Sequence, residues 1–464
     1  MLTTKRPWRQ ALLLCGVSPL LFGYAAAQSE DHLKIRVDTI EAKLDKIIER
    51  LDDEEEMLTP EETQDVREAV RLMKTSLANG DIGTSGFGEA PPEVILAERP
   101  QGFMSGDTEV LFGGFIKLDV SLTEFTDGEL PTNSLGRDFY IPGLVPVGGD
   151  GGDPVIDFNP RETRFFFGFK NEAGKHKVGG KIEFDFQVTN DGNERVSNSF
   201  SPRMRLAFVT VDNWLFGQTW STFQDVVALP ENLDFIGPTE GTVFERQPMI
   251  RYTRGPFQIA LEQPETEITT ETGGRILTGD DTLPDIALRY NAKGDYGHLS
   301  LATLFRQLKA GDDVTGVDTE TAWAWGFSGS GKIRLGAKDD FRFMGTYGEG
   351  IGRYIGVNIV NDAALLDNGE LELIETVSGF ASIRHFWNDR WRSNLSVGYF
   401  RAGNPVRLTS GDVTDEVSSI HANLIYAVSP KIDIGVELIR ADRELENGLD
   451  GAMNKLQFSA KYGF

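Results

Sequence analysis

The last ten residues, KLQFSAKYGF (455–464), alternate strictly between polar and apolar side chains. The apolar members of this stretch are Leu456, Phe458, Ala460, Tyr462 and Phe464. A period of two residues is typical of a β-strand whose two faces meet different surroundings, and it is not a helical pattern. We therefore expect a terminal strand with one apolar and one polar face.

The same alternation recurs along the chain from about residue 107. It is clearest in GFIKLDVSL (114–122), RETRFFFGFK (161–170), KIEFDFQV (181–188) and PRMRLAFVT (202–210). The other candidate strands are 214–218, 249–254, 256–262, 285–291, 298–306, 320–328, 340–347, 377–386, 391–400, 417–428, 431–439 and 455–464. Together they predict about sixteen strands.

The composition of the two faces favours a barrel that crosses a membrane. Aromatic side chains lie near the ends of the apolar faces, as in the belts at membrane interfaces, and the opposite faces carry charges that need water. A closed barrel gives both faces a suitable solvent and leaves no unpaired edge. Mean hydropathy is −0.26, which excludes a bundle of membrane helices. We predict an all-β transmembrane barrel of about 16 antiparallel strands over 107–464, in contact with outer-membrane lipid.

The N-terminus predicts an exported protein. Residues 1–27 have a basic start, a short apolar stretch and a small-residue end at Ala25–Ala27, the pattern of a secretory signal peptide. Cys15, the single cysteine, would leave with this peptide. An uncleaved N-terminal anchor is the alternative interpretation.

A helical segment is expected between the signal and the barrel. Apolar residues recur at heptad spacing at Leu33, Val37, Ile40, Leu44, Ile47 and Leu51, which predicts a coiled-coil segment over 28–57 with more than two strands. A lone amphipathic helix is the alternative. A short helix is predicted over 58–80 and a linker, rich in Gly, Ser and Pro, over 81–106.

Several function classes are disfavoured. The net charge of −25 opposes nucleic-acid binding. The five histidines are scattered without ligand spacing, and no GxSxG, HExxH or P-loop motif occurs, so we expect no enzyme activity, metal site or cofactor. GGDGGD (148–153) fits a calcium-repeat signature once, but that repeat must stack in several copies. A flexible loop is favoured there, and calcium binding is left open.

The stretch from 217 to 255 resembles the DcaP-like family of trimeric outer-membrane porins, in particular at GQTWSTF (217–223), LPENLDF (229–235) and RQPMIRYT (246–253). The resemblance implies a sixteen-stranded barrel, a homotrimer with periplasmic N-terminal helices, and passage of small anionic solutes such as dicarboxylates. Phosphate-selective or general porins are the alternative. A second alternative is a barrel-anchored protein that binds cell wall through its N-terminal helices or acts in adhesion.

Strand parity predicts a basic solute path. On PRMRLAFVT the even-numbered residues are apolar, so Arg203 and Arg205 should point into the lumen. By the same argument, further arginines are expected to face inward. We predict a row of arginines along the solute path, the lumenal basic ladder, made of Arg164, Arg203, Arg205, Arg251 and Arg289. Guanidinium groups bind carboxylates bidentately. The alternative is that each arginine pairs with a lumenal carboxylate such as Glu183, Asp185 or Glu262.

The connection 219–247 is long and contains apolar residues that a solvated loop would not need. We expect it to fold into the lumen and narrow it. The candidate constriction residues are Phe223, Asp225, Leu229, Glu231 and Asp234.

Overall fold

The computed structural model describes residues 101–188, 197–279, 281–311, 321–366 and 368–464. The predicted signal peptide (1–27), coiled-coil segment (28–57) and short helix (58–80) lie outside these residues, as does most of the predicted linker (81–106). The last residues of that linker are a correction to the prediction, because Gln101–Ser105 pair with the first barrel strand as a strand of their own. Within the described ranges, no helix is long and apolar enough to cross a membrane.

The described chain is almost entirely strand and loop. In chain order the strands are β1 (Gln101–Ser105), β2 (Thr108–Phe125), β3 (Val155–Asn159), β4 (Arg164–Ala173), β5 (His176–Asp185), β6 (Arg203–Val211), β7 (Trp214–Trp220), β8 (Arg246–Arg254), β9 (Phe257–Glu262), β10 (Thr266–Thr269), β11 (Arg275–Thr278), β12 (Asp285–Gly294), β13 (Gly297–Leu308), β14 (Ala322–Leu335), β15 (Asp339–Glu349), β16 (Ala363–Leu365), β17 (Leu371–Leu373), β18 (Glu375–Phe386), β19 (Trp391–Gly403), β20 (Thr414–Ser429), β21 (Ile432–Leu445) and β22 (Asp450–Gly463). The helices are single turns, α1 (Leu135–Asp138), α2 (Val406–Thr409) and 3₁₀ turns at Pro142–Leu144, Val226–Ala228, Thr239–Gly241 and Gly352–Tyr354.

Sixteen of these strands close into one antiparallel barrel. Each strand of the series β2, β4–β9, β12–β15 and β18–β22 pairs with the next, and β22 returns to pair with β2. β3 pairs with the far half of β2 and therefore continues the line of β4. All sixteen predicted strand segments coincide with these strands, which confirms the predicted barrel.

The two ends of the barrel differ. Turns of a few residues close one end, which we call the short-turn end. The connections at the other end, the long-loop end, are long except for the last; they are L1 (126–163), L2 (186–202), L3 (221–245), L4 (263–284), L5 (309–321), L6 (350–374), L7 (404–413) and the short L8 (446–449). Alternating short turns and long loops are typical of outer-membrane barrels.

Side chains alternate between the inside and outside of the barrel. On β2, Lys117 and Asp119 are 5% and 6% exposed, whereas Ile116 is 58% exposed. On β22 the apolar Leu456 and Phe458 face outward and Gln457 faces inward. The apolar faces identified in the sequence therefore form the outer surface, and the polar faces line the interior.

A second, small sheet was not expected from the sequence. It is built from L4 and L6: β10 pairs with β11 and, in parallel, with β16, which pairs with β17. Arg306 of the barrel wall supports this sheet, since its Nη1 lies 2.8 Å from Asp362 of L6 while its Nε donates to Asp285 at 3.0 Å. The strands contain only three or four residues, too few for a periodic signal.

Candidate functional site

L3 runs along the inside of the barrel wall. The Asp225 carboxylate, near its start, lies 3.0 Å from His298 Nε2 and accepts the Ser330 hydroxyl at 2.8 Å. Burial opposes the charged form of this carboxylate, but the hydrogen bond with His298 and the charge of Arg289 lower the pKa of Asp225. This end of L3 is thereby attached to β13 and β14.

Glu231, at the middle of L3, is bound by two arginines of the wall. Arg392 donates to its Oε1 from Nε at 2.9 Å and from Nη2 at 2.8 Å, and Arg384 donates to its Oε2 at 2.9 Å. Burial again opposes the charge, but the two guanidinium groups prevail and lower the pKa of Glu231 to about 2. Asp433 in turn accepts from Arg392 at 2.9 Å, and Asp340 accepts from Arg384.

The remaining carboxylates between residues 225 and 240 are also occupied. Asp234 accepts the Tyr140 N–H at 3.1 Å and lies 3.2 Å from Lys455 Nζ. Glu240 accepts the Ser419 hydroxyl at 2.5 Å. Burial raises the pKa of Glu240 against the effect of that hydrogen bond. The four carboxylates of this part of L3 are thus directed toward the wall or toward L1.

The backbone of L3 is held by wall side chains as well. Glu437 accepts the Leu233 N–H at 2.6 Å, and the Leu233 carbonyl accepts from Lys117 Nζ at 2.6 Å. Arg342 donates to the Leu229 carbonyl. L3 therefore lies against the part of the wall that runs from β13 through β22 to β2.

The facing wall, formed by β4 to β8, is basic. Its arginines include Arg164, Arg203 and Arg205, and its carboxylates are Glu183 and Asp185. Arg205 donates to Glu183 at 2.9 Å and to Asp185 at 2.7 Å, while Arg203 donates to Asp185 at 2.8 Å. Arg164 Nε lies 3.9 Å from Glu183. These three predicted ladder residues lie together, and each has a carboxylate neighbour, as the alternative interpretation expected.

A β-bulge changes the parity that the sequence predicted for β6. Phe184 pairs with Met204 and Glu183 pairs with Leu206, so Arg205 is the extra residue. Leu206, expected on the outer face, is consequently only 3% exposed and lies on the inner face. The bulge is the physical reason for this correction, because one extra residue reverses the faces of all that follow.

The other two predicted ladder residues lie beside the start of L3. Arg251 donates to the Thr222 hydroxyl at 2.7 Å and to the Trp220 carbonyl. Arg289 is half-buried on β12, and its charge acts on Asp225. Phe223, the remaining candidate constriction residue, is 1% exposed and packs edge-to-face on Tyr354 in the apolar core of the barrel.

Sequence reasoning missed an arginine–aromatic cluster. The Arg246 guanidinium lies 4.7 Å from the centre of the Trp220 ring and 5.8 Å from that of Phe244. Arg205 lies 5.7 Å from the Trp220 ring and 5.5 Å from Phe235. Arg246 is the first residue of β8, so strand parity said nothing about its surroundings. These contacts hold the two guanidinium groups by cation–π attraction.

A family model described as "DcaP outer membrane protein" matches residues 163–464, well over half of the chain. The chain belongs to the DcaP family. The motifs that carried the resemblance in the sequence coincide with the site: GQTWSTF ends β7 and enters L3, LPENLDF is the part of L3 that contacts the arginines and lysines of the wall, and RQPMIRYT is β8.

One solved structure, a DcaP channel, supports the DcaP assignment. The crystal structure of the outer membrane channel DcaP of Acinetobacter baumannii is 25% identical, with a TM-score of 0.66, and the match covers 78% of this chain and 99% of that chain. OmpT of Vibrio cholerae matches at 14% identity and a TM-score of 0.48, over 78% of this chain and 100% of its own. OmpF of Salmonella typhi in complex with daunomycin matches at 11% identity and a TM-score of 0.48, over 77% and 100%. A comparison with curated protein sequences gave no match.

Across the residues that the structure describes, no group of three or more His, Cys, Asp or Glu side chains could hold a metal ion. The GGDGGD stretch of L1 is mostly exposed and irregular, without repeated strands beside it.

Proposed function

We propose that this outer-membrane channel passes small anions, including dicarboxylates, by passive diffusion between L3 and the wall of β4 to β8. The observation that carries the proposal is a difference in charge between the two sides of the lumen: the carboxylates of L3 are paired, and the opposite wall is basic. Asp225, Glu231, Asp234 and Glu240 of L3 are occupied by partners on the β13 to β2 side or in L1. The opposite wall carries more arginines than carboxylates; Arg203 has 22% of its side chain exposed, whereas Arg164 and Arg205 are buried beside their carboxylate neighbours.

Electrostatics then favours anions although the whole chain has a net charge of −25. On β4 to β6, Glu183 and Asp185 are shared among Arg164, Lys181, Arg203 and Arg205, and Arg246 lies nearby. Acidic loops beyond the constriction contribute little, because at physiological salt the field of an exposed charge decays within about 8 Å. Guanidinium groups suit carboxylates because they bind bidentately.

The orientation and assembly belong to the same proposal. We place the long-loop end outside the cell and the short-turn end, with the N-terminal helical segment, in the periplasm, and we propose a homotrimer. Ile156, Phe158 and Phe167 form an outward apolar surface of β3 and β4, between 53% and 63% exposed, that suits either lipid or a second copy. Cross-linking of the full-length chain and of a chain without residues 28–80 tests the trimer; two monomeric proteins would contradict it.

The reversal potential in a potassium chloride gradient tests the selectivity. We expect an anion-selective wild type and a shift toward cations in the variant that combines Arg203→Ala with Arg205→Ala, since Asp185 then loses both its arginine partners and Glu183 keeps only Lys181 and the more distant Arg164. Arg246→Gln should shift the potential in the same direction and disturbs no carboxylate pair. A matched control is Arg407→Gln, whose side chain is 61% exposed and pairs with Glu372 outside the lumen. A cation-selective wild type would refute the proposal.

A further inference from the structure

We infer that Arg384 and Arg392 form a second carboxylate-binding site, and that Glu231 of the same chain fills it in place of a solute. This inference rests on the proposed function, because it concerns the same anionic solutes. It assigns Glu231 the role of an internal competitor, held on L3 against the wall opposite Arg203 and Arg205.

Arg384 and Arg392, which we call the clamp, have the geometry of a carboxylate receptor. Arg392 binds one oxygen of Glu231 through both Nε and Nη2, and Arg384 binds the other oxygen through Nη1. All four partners are 9% to 15% exposed in their side chains, counting Asp433 behind Arg392. Two guanidinium groups on the two oxygens of one carboxylate give the strong, charge-assisted form of hydrogen bond.

The clamp would keep its shape without Glu231. Asp433 accepts from Nη1 and Nη2 of Arg392 at 3.2 Å and 2.9 Å, and Asp340 accepts from Nη2 of Arg384. Asp340 also accepts from Arg342 at 2.7 Å. Both guanidinium groups are therefore oriented from the wall side, and the donors aimed at Glu231 are preorganised for any carboxylate of the same size.

L3 stays in place when the Glu231 side chain lets go, because other residues anchor the loop. The Leu233 N–H and carbonyl are bound by Glu437 and Lys117, and the Leu229 carbonyl by Arg342. Beside the clamp, a cavity of about 70 Å³ is lined by Glu231, Arg392, Asp433 and neighbouring residues. The exchange of one carboxylate for another thus needs motion of one side chain only.

A carboxylate that belongs to the same chain competes with a solute carboxylate for the clamp and weakens the binding of the solute. Glu231 is always at high effective concentration near the clamp, so a solute carboxylate meets a site that is already occupied. The consequence for transport is weak and brief retention of solute on this wall. Removal of Glu231 should convert the clamp into a tight site that delays carboxylates and interrupts the current.

The test is single-channel recording of the full-length protein in a planar bilayer, with succinate as the probe. In Glu231→Ala, succinate should interrupt the chloride current at a concentration at least about tenfold lower than in wild type, because a competing charge-assisted contact is lost. The combination of Glu231→Ala with Arg392→Gln should return the succinate effect to the wild-type level. Glu240→Gln is the matched control, because the carboxylate of Glu240 is held by the Ser419 hydroxyl and its loss opens no guanidinium pair.

The outcomes separate the two proposals. An unchanged succinate effect in a folded Glu231→Ala channel would overturn the clamp, while an anion-selective reversal potential in the same channels would leave the proposed function standing. A cation-selective wild type would overturn both. Should Glu231→Ala fail to assemble, Glu231→Gln keeps the side-chain volume and makes the same comparison with the same expected direction.

Discussion

Glu437 holds the long loop L3 at Leu233: its Oε2 accepts the Leu233 N–H at 2.6 Å. The two residues are 204 positions apart in the sequence, and with Lys117 on the Leu233 carbonyl they fix the middle of L3 against the wall. We propose that this attachment sets the cross-section that remains for solutes.

Deletion of residues 226–236 should therefore raise single-channel conductance. The deletion removes the part of L3 that lies across the lumen, including Leu229, Glu231 and Leu233, and leaves the strands β7 and β8 intact. Conductance in planar bilayers measures the effect. Deletion of 149–152, in the exposed part of L1, is the control and should leave conductance near the wild-type value. If the shortened L3 left conductance unchanged in a folded barrel, L3 would not be the constriction.

Glu267 makes the L4–L6 sheet sensitive to pH. Burial, together with the nearby charge of Asp362, raises the pKa of Glu267 to about 7 from 4.5. A raised folded-state pKa means that its contribution to stability is complete below about pH 4.5 and is lost as pH rises through about 7. The full loss, between about pH 4.5 and pH 7, is on the order of 3 kcal/mol. The other charged neighbours are Arg275, Arg306 and Arg353.

Hydrogen exchange of β10 and β16, corrected for intrinsic rates, should show weaker protection at pH 8 than at pH 6. Glu267→Gln should flatten this dependence, because the neutral amide does not titrate. The exposed Glu370 of L6 provides the comparison: Glu370→Gln should behave as wild type. Equal protection at both pH values in the wild type would contradict the assignment.

Arg306 is expected to be a strong anchor of L6. It is fully buried and contacts Asp285 at 3.0 Å and Asp362 at 2.8 Å. Arg306→Gln leaves the buried Asp362 without its cation and Asp285 with only the more distant Arg353, 3.9 Å away; breaking a buried pair in this way typically costs about 3–5 kcal/mol. The backbone amide hydrogens of β16 should then exchange faster with solvent. Greater noise in the single-channel current, caused by motion of L6, is a second measurement. Arg407→Gln, which removes an exposed pair with Glu372, should change exchange little.

A single added carbon should disturb the seam, the place where β22 returns to pair with β2 and close the barrel. Gly114 and Phe464 exchange two backbone hydrogen bonds, of 3.3 Å and 3.1 Å. A Cβ at Gly114 would lie 2.2 Å from the Arg164 carbonyl oxygen, whereas one at Gly345 on β15 would meet nothing within 4 Å. Gly114→Ala should therefore reduce the fraction of folded, heat-modifiable barrel on a semi-native gel, and Gly345→Ala should not. Equal yields would show that the seam tolerates the extra carbon.

The sequence predicted the barrel well because its signal is local. Alternation along each strand identifies the faces without knowledge of the partner strand, so all sixteen strands were found. Short elements were not: β1, β3 and the L4–L6 strands contain three to five residues, and β3 has the exposed apolar Ile156 and Phe158 inside a loop rich in glycine. The alternation of polar and apolar residues over 202–210 does not reveal the β-bulge at Arg205 either.

The site was predicted in part for the same reason. Strand parity placed Arg203 and Arg205 on one face. It could not identify the carboxylates that neighbour them or the aromatic rings that lie beside Arg205. The contacts of Glu231 with Arg384 and Arg392 join residues that are 153 and 161 positions apart. Such pairs depend on the path of L3 through the lumen, which no local period encodes.

The pairing of β22 with β2 has a consequence for the order of events during biosynthesis. The ring is complete only when β22 has paired with both β21 and β2, so a chain that lacks β22 cannot close in this way. A chain released before β22 is made would present the open sides of both β2 and β21, each ready to pair with another chain. Premature termination before β22 should therefore yield an aggregation hazard and a substrate for proteases, rather than a slightly smaller channel.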